Sequence, residues 1–432
     1  MKFVSKIETE ELNQASVSDS VQGNPKILIT GVNGYIGSNL RIFLKRSQYD
    51  VYGFTSKGLP EEKIYHLDMT DRQKIYDALK FVKPDVIVHT AALSSLKECE
   101  RNPGLAREIN VETTRNLISC IRESSANVKF VFLSSDYVFD GQRGNYKEDD
   151  KVNPQTVYGK TKAQSETDIK EHLENFVICR TANVYCRGGN FFRFVLDALE
   201  KNNVAEVFDD SFFTPTYIDY LLDSLRLFIE LNFKGVIHVA GRERLSRYDF
   251  ALKMAGAMGK DPDLVKPVKK GQLLAKDNSL NCEYSRKVLQ NPWPSLDESL
   301  HYCFGNLTPP YFYHIDHRGK LLGVFQGLVW EEINYIESIK GSIRGNHYHK
   351  ETCEGFFLID GKIRVTIVDM LKNSRRTFVA KKGDAMVINP NITHTFEMLE
   401  DSRWINMLSK PFDGQRKDIH INSSFEADQK VC

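Results

Sequence analysis

The feature that most constrains this chain is a glycine-punctuated turn between an apolar strand and an amphipathic helix. Ile27-Leu28-Ile29-Thr30 reads as a buried strand, Gly31-Val32-Asn33-Gly34-Tyr35-Ile36-Gly37 follows, and a helix opens directly after it. Glycines at this spacing allow a tight turn, close approach of backbone N–H groups to a pyrophosphate, and close packing of helix on strand. Apolar runs at Lys26–Thr30, Asp50–Phe54, Asp85–His89, Lys129–Leu133 and Phe176–Cys179 alternate with helical patterns at Ile36–Arg46, Arg72–Phe81, Ala106–Glu123 and Lys160–Glu174. That alternation specifies a parallel sheet with helices on both faces and ligands at the carboxyl ends of the strands.

Residues 26–305 are therefore expected to form an α/β, Rossmann-type, doubly wound parallel-sheet domain. The pattern changes after Asn306. Strand-like runs recur with short turns at Leu322–Phe325, Glu332–Ser338, Gly355–Ile359, Ile363–Val368, Arg376–Ala380, Ala385–Ile388, His394–Met398 and Trp404–Leu408. Short strands with turn signals predict an antiparallel sandwich or barrel over 306–432. Asn291-Pro292-Trp293-Pro294 and Thr308-Pro309-Pro310 bracket an expected linker, and the polar stretch Met1–Pro25 is expected to be a flexible extension. With 58 Lys plus Arg against 57 Asp plus Glu, the net charge of +1 argues against a nucleic-acid or membrane-surface protein. No window reaches the roughly 18 apolar residues of a membrane span, and the polar stretch Met1–Pro25 is expected not to act as a secretory signal. The eight Cys show no CxxC pair, so reduced thiols in a cytoplasmic protein are expected.

The second strand leads to Thr55-Ser56-Lys57, where an NAD site usually has an acid for the ribose hydroxyls. Ser56 and Lys57 suit a 2′-phosphate instead, so NADPH is favoured, with NADH the alternative. Gly31, Asn33, Gly34, Tyr35, Ile36 and Gly37 are the expected cradle. Further on, a strand delivers Ser134-Ser135-Asp136 to the sheet's carboxyl edge, and Tyr158-Gly-Lys-Thr-Lys162 places a phenol and an ammonium on one face of a helix. A cation one turn from a phenol favours the phenolate and adjusts proton transfer, while the Ser135 hydroxyl is placed to hydrogen-bond a substrate oxygen.

With these motifs in hand, residues 26–305 resemble the extended short-chain dehydrogenases/reductases, and within them the dTDP-4-dehydrorhamnose reductases. The resemblance is carried by Leu67-Asp68-Met69-Thr70-Asp71, Pro84–Ala92, Ser134–Gly141, Tyr158–Lys162, Arg180-Thr181, Thr214-Pro215-Thr216 and Gly235–Gly241. It implies Ser135, Tyr158 and Lys162 as the catalytic trio, with Tyr158 and Lys162 also touching the cofactor. It places Asp68 and Met69 near the adenine and Ala91 and Ala92 along the cofactor cleft, with Asn110 supporting the active site and Asp136 on the substrate side. Two positions depart from the family: Ser135 replaces the usual Thr, and Cys186 stands where Gly often follows the Tyr. The beta subunit of methionine adenosyltransferase shares the Ser-Ser-Asp-Tyr-Val-Phe-Asp-Gly segment, which leaves a non-catalytic NADP-binding subunit as an alternative.

Six of the eleven His residues (314, 317, 347, 349, 394 and 420) fall after Asn306. On a strand, His347 and His349 point the same way, and Glu354 and His394 can meet them inside a barrel. Three imidazoles and a carboxylate suit a divalent metal, zinc first among several that the ligand types allow. The spacing of Gly341, His347, His349, Glu354 and Gly361, then of Gly383, Pro390 and His394, resembles the two motifs of a cupin (jelly-roll) domain. The second motif departs at Asn389, Asn391 and Met398. Asp316-His317-Arg318-Gly319 and Arg344-Gly345-Asn346-His347 also resemble dTDP-4-dehydrorhamnose 3,5-epimerase. That likeness implies His347 as a catalytic base and Arg318 and Arg344 as substrate contacts, so ligand and base remain competing roles for His347. Reductase plus cupin resembles the bifunctional epimerase/reductases of capsular polysaccharide synthesis. The implied function is C3 epimerisation followed by NADPH-dependent C4-keto reduction of a 4-keto-6-deoxy nucleotide sugar by a homodimer. A reductase with a structural cupin is the runner-up.

Overall fold

The computed structural model describes residues 25–56, 61–124, 127–269, 276–291, 293–310, 312–316, 319–325, 327, 329–371, 374–411 and 418–421. The expected flexible extension before residue 25, the expected site residues Lys57 and Arg318, and His317 lie outside the described residues. Contacts group the chain into two compact units: Met1–Arg193, Phe208–Arg247 and Val268–Trp293 form one, and Phe194–Val207, Tyr248–Pro267 and Pro294–Cys432 the other.

The first unit is built on a seven-stranded sheet. Its strands are β1 (Lys26–Thr30), β2 (Asp50–Thr55), β3 (Ile64–His66), β4 (Val86–His89), β5 (Lys129–Ser135), β6 (Phe176–Thr181) and β7 (Gly235–Val239), in the order β7-β6-β5-β4-β1-β2-β3, every pair parallel. Leu28, Phe54, Ile87, Phe130, Phe132 and Ile178 point from one face into a core with Ile75, Leu79, Leu117, Ile121 and Ile169. Those partners belong to helices α2 (Arg72–Val82), α5 (Thr113–Ser124) and α6 (Val157–His172), while α1 (Tyr35–Arg46) packs against α7 (Ile218–Glu230). Alternate strand positions, among them Ile27, Ile29, Val88, Val131 and Val177, are equally buried, as strands covered on both faces require. Strand order reverses between β1 and β4, so the ligand crevice is expected at their carboxyl ends.

One expected helix is broken. In place of a single helix over Ala106–Glu123 the chain forms α4 (Pro103–Arg107, after the short α3, Leu96–Arg101), a π-helical turn at Glu108–Glu112, and α5. The wider turn relieves the i→i−4 ladder at Asn110, whose backbone carbonyl accepts from Thr114 Oγ1 (2.8 Å) and Ser165 Oγ (3.0 Å). The expected linker also differs, because a helix, Leu296–Cys303, occupies it. A capping box starts it: Ser295 Oγ accepts the Glu298 N–H, and the Glu298 side chain accepts the Ser295 N–H.

The second unit holds two antiparallel sheets. Strands β8 (Glu332–Ser338), β9 (Ile343–Tyr348), β10 (Glu354–Asp360), β11 (Lys362–Asp369), β12 (Ser374–Lys381), β13 (Ala385–Ile388), β14 (Ile392–Met398), β15 (Ser402–Leu408) and β16 (His420–Ile421) form sheets ordered β8-β15-β10-β13 and β12-β11-β14-β9-β16. Period-two burial turns Ile363, Val365 and Ile367 inward onto Phe356, Leu358, Phe378, Phe396, Met398 and Trp404. A separate hairpin pairs Phe312–Asp316 with Gly319–Gly323. Among the described residues, no helix is long and apolar enough to cross a membrane.

Candidate functional site

The glycine turn lies at the switch point. Gly31 has φ +67°, and a Cβ there would stand 2.7 Å from Ala91 Cα. Only glycine lets the turn press on the backbone that follows β4, and this contact brings Ala91 and Ala92 to the crevice. The Gly31 N–H donates to the Phe54 carbonyl (2.9 Å), tying the turn to the end of β2 and hence to Ser56, which is exposed. Helix α1 starts with Gly34 as its N-cap, with no side-chain cap and no acid in its first turn, a helix end suited to an anion. Asn33 and Gly34 are exposed, Tyr35 and Ile36 half-buried, and Gly37 buried. The Tyr35 hydroxyl donates to the Cys186 carbonyl. Cys186 and Arg187 both adopt positive φ, +77° and +55°, which is why glycine suits the position after Tyr185. Asp68 is exposed, and its Oδ1 accepts the Thr70 N–H (2.9 Å) and Oγ1 (2.7 Å), which hold its carboxyl below the ordinary range. Met69 is buried beside it.

The polar groups expected to do chemistry meet at the end of β5. Ser135 Oγ donates to Asp136 Oδ1 (2.8 Å), and the Ser135 hydroxyl acts to lower the Tyr158 phenol. Tyr158 lies in the first turn of α6, begun by the Thr156 cap on the Gly159 N–H. A Cβ at Gly159 would stand 2.1 Å from the Tyr137 carbonyl, so glycine lets the helix sit directly on the Ser135–Tyr137 segment. Burial and then the Asp136 charge push the phenol well above its usual range. Burial pushes the Asp136 carboxyl up to about 6, against its hydrogen bond from Ser135. Lys162 Nζ donates to the Leu133 carbonyl (2.9 Å) and lies 4.5 Å from the Phe132 ring centre. Burial pulls its ammonium down to about 8, with Glu166 opposing. Asn110 ties the assembly together: its Nδ2 donates to Thr161 Oγ1 (2.9 Å) and the Leu93 carbonyl (3.1 Å), and its Oδ1 accepts the Leu93 N–H (2.7 Å).

Two residues that sequence reasoning gave no role stand behind this group. Glu166, one turn beyond Lys162, forms a two-pronged pair with Arg180, Nε–Oε1 2.9 Å and Nη2–Oε2 2.7 Å. Both side chains are 2% exposed. Ser134 Oγ donates to Glu166 Oε1 (2.6 Å), and Arg180 Nη1 donates to the Glu148 carbonyl (3.1 Å). The Tyr158–Lys162–Glu166 stripe, at i, i+4 and i+8, was a signal available in the sequence.

In the second unit, all four expected metal-site residues converge. His347, His349 and Glu354 each offer a donor atom within 4.8 Å of the others. Glu354 Oε2 lies 3.4 Å from His349 Nε2 and 3.1 Å from His394 Nε2. The rings of His347 and His394 are 4.6 Å apart between centres. Burial lowers all three imidazoles, His394 to about 3, so they are neutral and able to ligate. Burial raises Glu354 to about 7, and its Oε2 is buried with no hydrogen-bond partner. A buried carboxylate oxygen that lacks a donor and is ringed by neutral imidazoles fits a divalent cation. Arg344 is exposed, and its guanidinium bonds Ser338 Oγ (2.8 Å) and the Glu337 carbonyl (3.4 Å) rather than any member of the cluster. Asp418 went unnoticed in the sequence. Hydrogen bonds to the backbone N–H groups of Lys350, Glu351 and Thr352 outweigh partial burial and hold its carboxyl to about 2.

Comparison with known proteins matches residues 25–298 to the RmlD substrate binding domain family. The chain belongs to that family. Residues 314–419 match the polysaccharide biosynthesis C-terminal domain family. This corrects the expected cupin assignment: the β-rich, antiparallel architecture is present, but the matching family is a different one. The spore coat polysaccharide biosynthesis protein SpsK of Bacillus subtilis is 31% identical over 229 residues, 52% of this chain and 77% of that one. The dTDP-4-dehydrorhamnose reductase of Aggregatibacter actinomycetemcomitans is 30% identical over 237 residues, again 52% and 77%. Among solved structures, the dTDP-4-dehydrorhamnose reductase of Bacillus anthracis, in complex with NADP, aligns with a TM-score of 0.60 and 27% identity. It covers 65% of this chain and 99% of that one.

Proposed function

We propose that this RmlD-family chain is an NADPH-dependent reductase of the C4 ketone of a 4-keto-6-deoxy nucleotide sugar. The observation that carries the reading is the buried Tyr158, Ser135 and Asp136 group, in which Ser135 bonds Asp136 and lowers the phenol against burial, with Lys162 one turn along α6 in the same unit as the uncapped glycine turn. The NADP complex of the Bacillus anthracis relative supports the cofactor. Gly31–Gly37, Ser56, Lys57, Asp68, Met69, Ala91 and Ala92 would hold NADPH, which supplies a hydride when bound. Tyr158 keeps its proton because its phenol is pushed upward, and it delivers that proton to the oxygen that becomes an alkoxide. Ser135 orients the same oxygen, while the Lys162 charge favours the phenolate left behind. Asp136 contacts the sugar.

The His347–His349–Glu354–His394 cluster supports a second activity in the C-terminal unit. These four residues would hold a divalent metal, zinc first, which supplies Lewis acidity when bound. With His347 inside the cluster, the ligand role is favoured over that of a free base. The C3 proton is acidified only while the C4 ketone exists, so epimerisation there would precede reduction. The test is turnover of a panel of 4-keto-6-deoxy nucleotide sugars with NADPH, with products identified by NMR. Reduction at C4 supports the reductase reading, and NADPH binding without turnover of any member overturns it. Uptake of deuterium at C3 from heavy water supports the epimerase, and its absence from every product removes that activity.

A further inference from the structure

The two ends of the His349 imidazole face different chemistry. Nε2 looks into the cluster, 3.4 Å from Glu354 Oε2, and Nδ1 looks outward, 3.7 Å from Asp418 Oδ2. His349 Nδ1 is buried and has no hydrogen-bond partner. His394 is oriented in the same sense, with Nε2 3.1 Å from Glu354 Oε2 and Nδ1 3.3 Å from the Ile392 carbonyl. A metal-bound imidazole normally gives its second N–H to a carboxylate or a carbonyl, which fixes the tautomer and the ring plane. The Ile392 carbonyl stands in that place for His394, and Asp418 stands there for His349.

Asp418 is also fastened to the chain between two ligands. Its Oδ1 accepts the Lys350 N–H (2.9 Å), and its Oδ2 accepts the N–H groups of Glu351 (3.1 Å) and Thr352 (2.9 Å) and Thr352 Oγ1 (2.9 Å). Those residues join His349 to Glu354, so one carboxylate grips the tether between two donors. Two residues later β16 pairs with β9, the strand that carries His347, in the register His347↔Ile421 and Tyr348↔His420. The His420 Nε2 lies 3.6 Å from Asp418 Oδ1, and its ring packs 5.3 Å from that of Tyr348.

We propose that Asp418 is a positioning residue of the metal centre, and that the segment 418–421 is the part of the chain that completes it. The proposal rests on the metal reading given above. Asp418 holds the His349 ring with Nε2 toward the ion and presents a negative charge to its Nδ1–H. Because binding free energies are reciprocal, an ion in the cluster tightens docking of the 418–421 segment as much as that segment tightens the ion.

The test uses the full-length protein, its Asp418→Ala and Asp418→Asn variants, and a chromophoric chelator competing for Zn²⁺. Loss of the carboxylate is expected to weaken zinc binding about 10- to 100-fold, with Asp418→Asn between the wild type and Asp418→Ala. The ¹⁵N NMR signature of the His349 ring in the zinc-free protein reads orientation separately from folding. The Nδ1–H tautomer is expected in the wild type and a mixture in Asp418→Ala. If Asp418→Ala fails to fold, Asp418→Asn carries both readouts. Wild-type zinc affinity and an unchanged His349 tautomer in the variants overturn the role of Asp418 while leaving the metal centre intact. A wild type that takes up no zinc, cobalt or manganese overturns the metal reading, and this proposal with it.

Discussion

The buried Glu166–Arg180 pair makes a prediction that separates stability from catalysis. Both side chains are 2% exposed, and Arg180 holds Glu166 through two hydrogen bonds of 2.9 and 2.7 Å, with Lys170 Nζ a further 3.5 Å from Glu166 Oε2. Glu166→Gln leaves the Arg180 guanidinium buried without its two-pronged carboxylate, against the Glu148 carbonyl (3.1 Å), the His238 ring (3.4 Å) and the Phe139 face. Removing one partner of such a pair costs about 3–5 kcal/mol, and Arg180→Met is expected to cost less, because Lys170 Nζ, 3.5 Å from Glu166 Oε2, still faces the carboxylate. The double variant removes both charges, so it is expected to regain most of that loss, with a coupling energy of about 2 kcal/mol or more. Urea unfolding of the four proteins measures the cycle. The catalytic readout behaves differently. Glu166 opposes the burial that brings Lys162 down to about 8, so its loss lets the ammonium titrate lower. At an effective dielectric of about 20, a charge one helical turn away acts with ~2 kcal/mol, so the alkaline limb of the kcat profile moves to acid by about one pH unit or more. The shift is expected in Glu166→Gln and in the double variant alike, because restoring packing does not restore the anion. Single variants within 1 kcal/mol of the wild type, together with an unmoved alkaline limb, would refute the reasoning.

Tyr158→Phe is expected to lower kcat by about 10²–10⁴, far more than it weakens NADPH binding by fluorescence titration. A loss confined to KM would contradict the proton-donor role. Asp136 has a folded value of about 6 against 3.8 for an ordinary Asp, so the native state binds its proton more tightly than the unfolded chain. Stability from this group therefore falls as pH rises from about 4 to about 6 and stays lower above that, by up to about 3 kcal/mol. Asp136→Asn is expected to be more stable than the wild type at pH 8, equal to it near pH 4 in urea unfolding, and poorer in turnover. Equal midpoints at both pH values would contradict this. Zinc uptake is expected to weaken as pH falls below about 7, since a proton on Glu354 competes with the ion there. Pulling zinc away with a chelator at pH 8 is expected to lower the melting temperature of the wild type and leave Glu354→Ala unmoved.

The fold was legible where one periodicity governed a whole segment. Glu332–Ser338 and Ala385–Ile388 run over the residues that alternation predicts, and five of the seven strands of the large sheet were located to within two residues at either end, while the edge strands Ile64–His66 and Gly235–Val239 were not read as strands. The misses came where a side chain overrode the local pattern. Asn110 is the clearest case. The amphipathic pattern of Ala106–Glu123 asks for one helix, but the asparagine is drawn to the Leu93 loop and Thr161, and the backbone widens to π geometry to allow it. The helix at Leu296–Cys303 was missed for a different reason. Its prolines at 292 and 294 read as linker, while the Ser295–Glu298 capping box, three residues apart, carried the start signal.

The same division holds for the candidate sites. Tyr158 with Lys162, and His347 with His349 and Glu354, announce themselves because their spacing matches a helical turn or a strand and its following loop. Arg344 fits a motif just as well, yet the bulge at Gly345–Asn346 breaks the register of β9, and the guanidinium is spent on Ser338. Short spacing can place a residue on an element, but it cannot say what that element faces. Glu166 lies in the open as the third member of a stripe spaced four residues apart, and only its pairing with Arg180 on β6 turns it from a solvated helix acid into a buried counter-charge. Asp418 has no local signal, because its partners at 349–352 are brought to it by sheet closure. A centre whose ligands are local in sequence but whose orienting carboxylate is remote gains its final form only when the last strand docks, so ion binding and chain closure are expected to be one cooperative event.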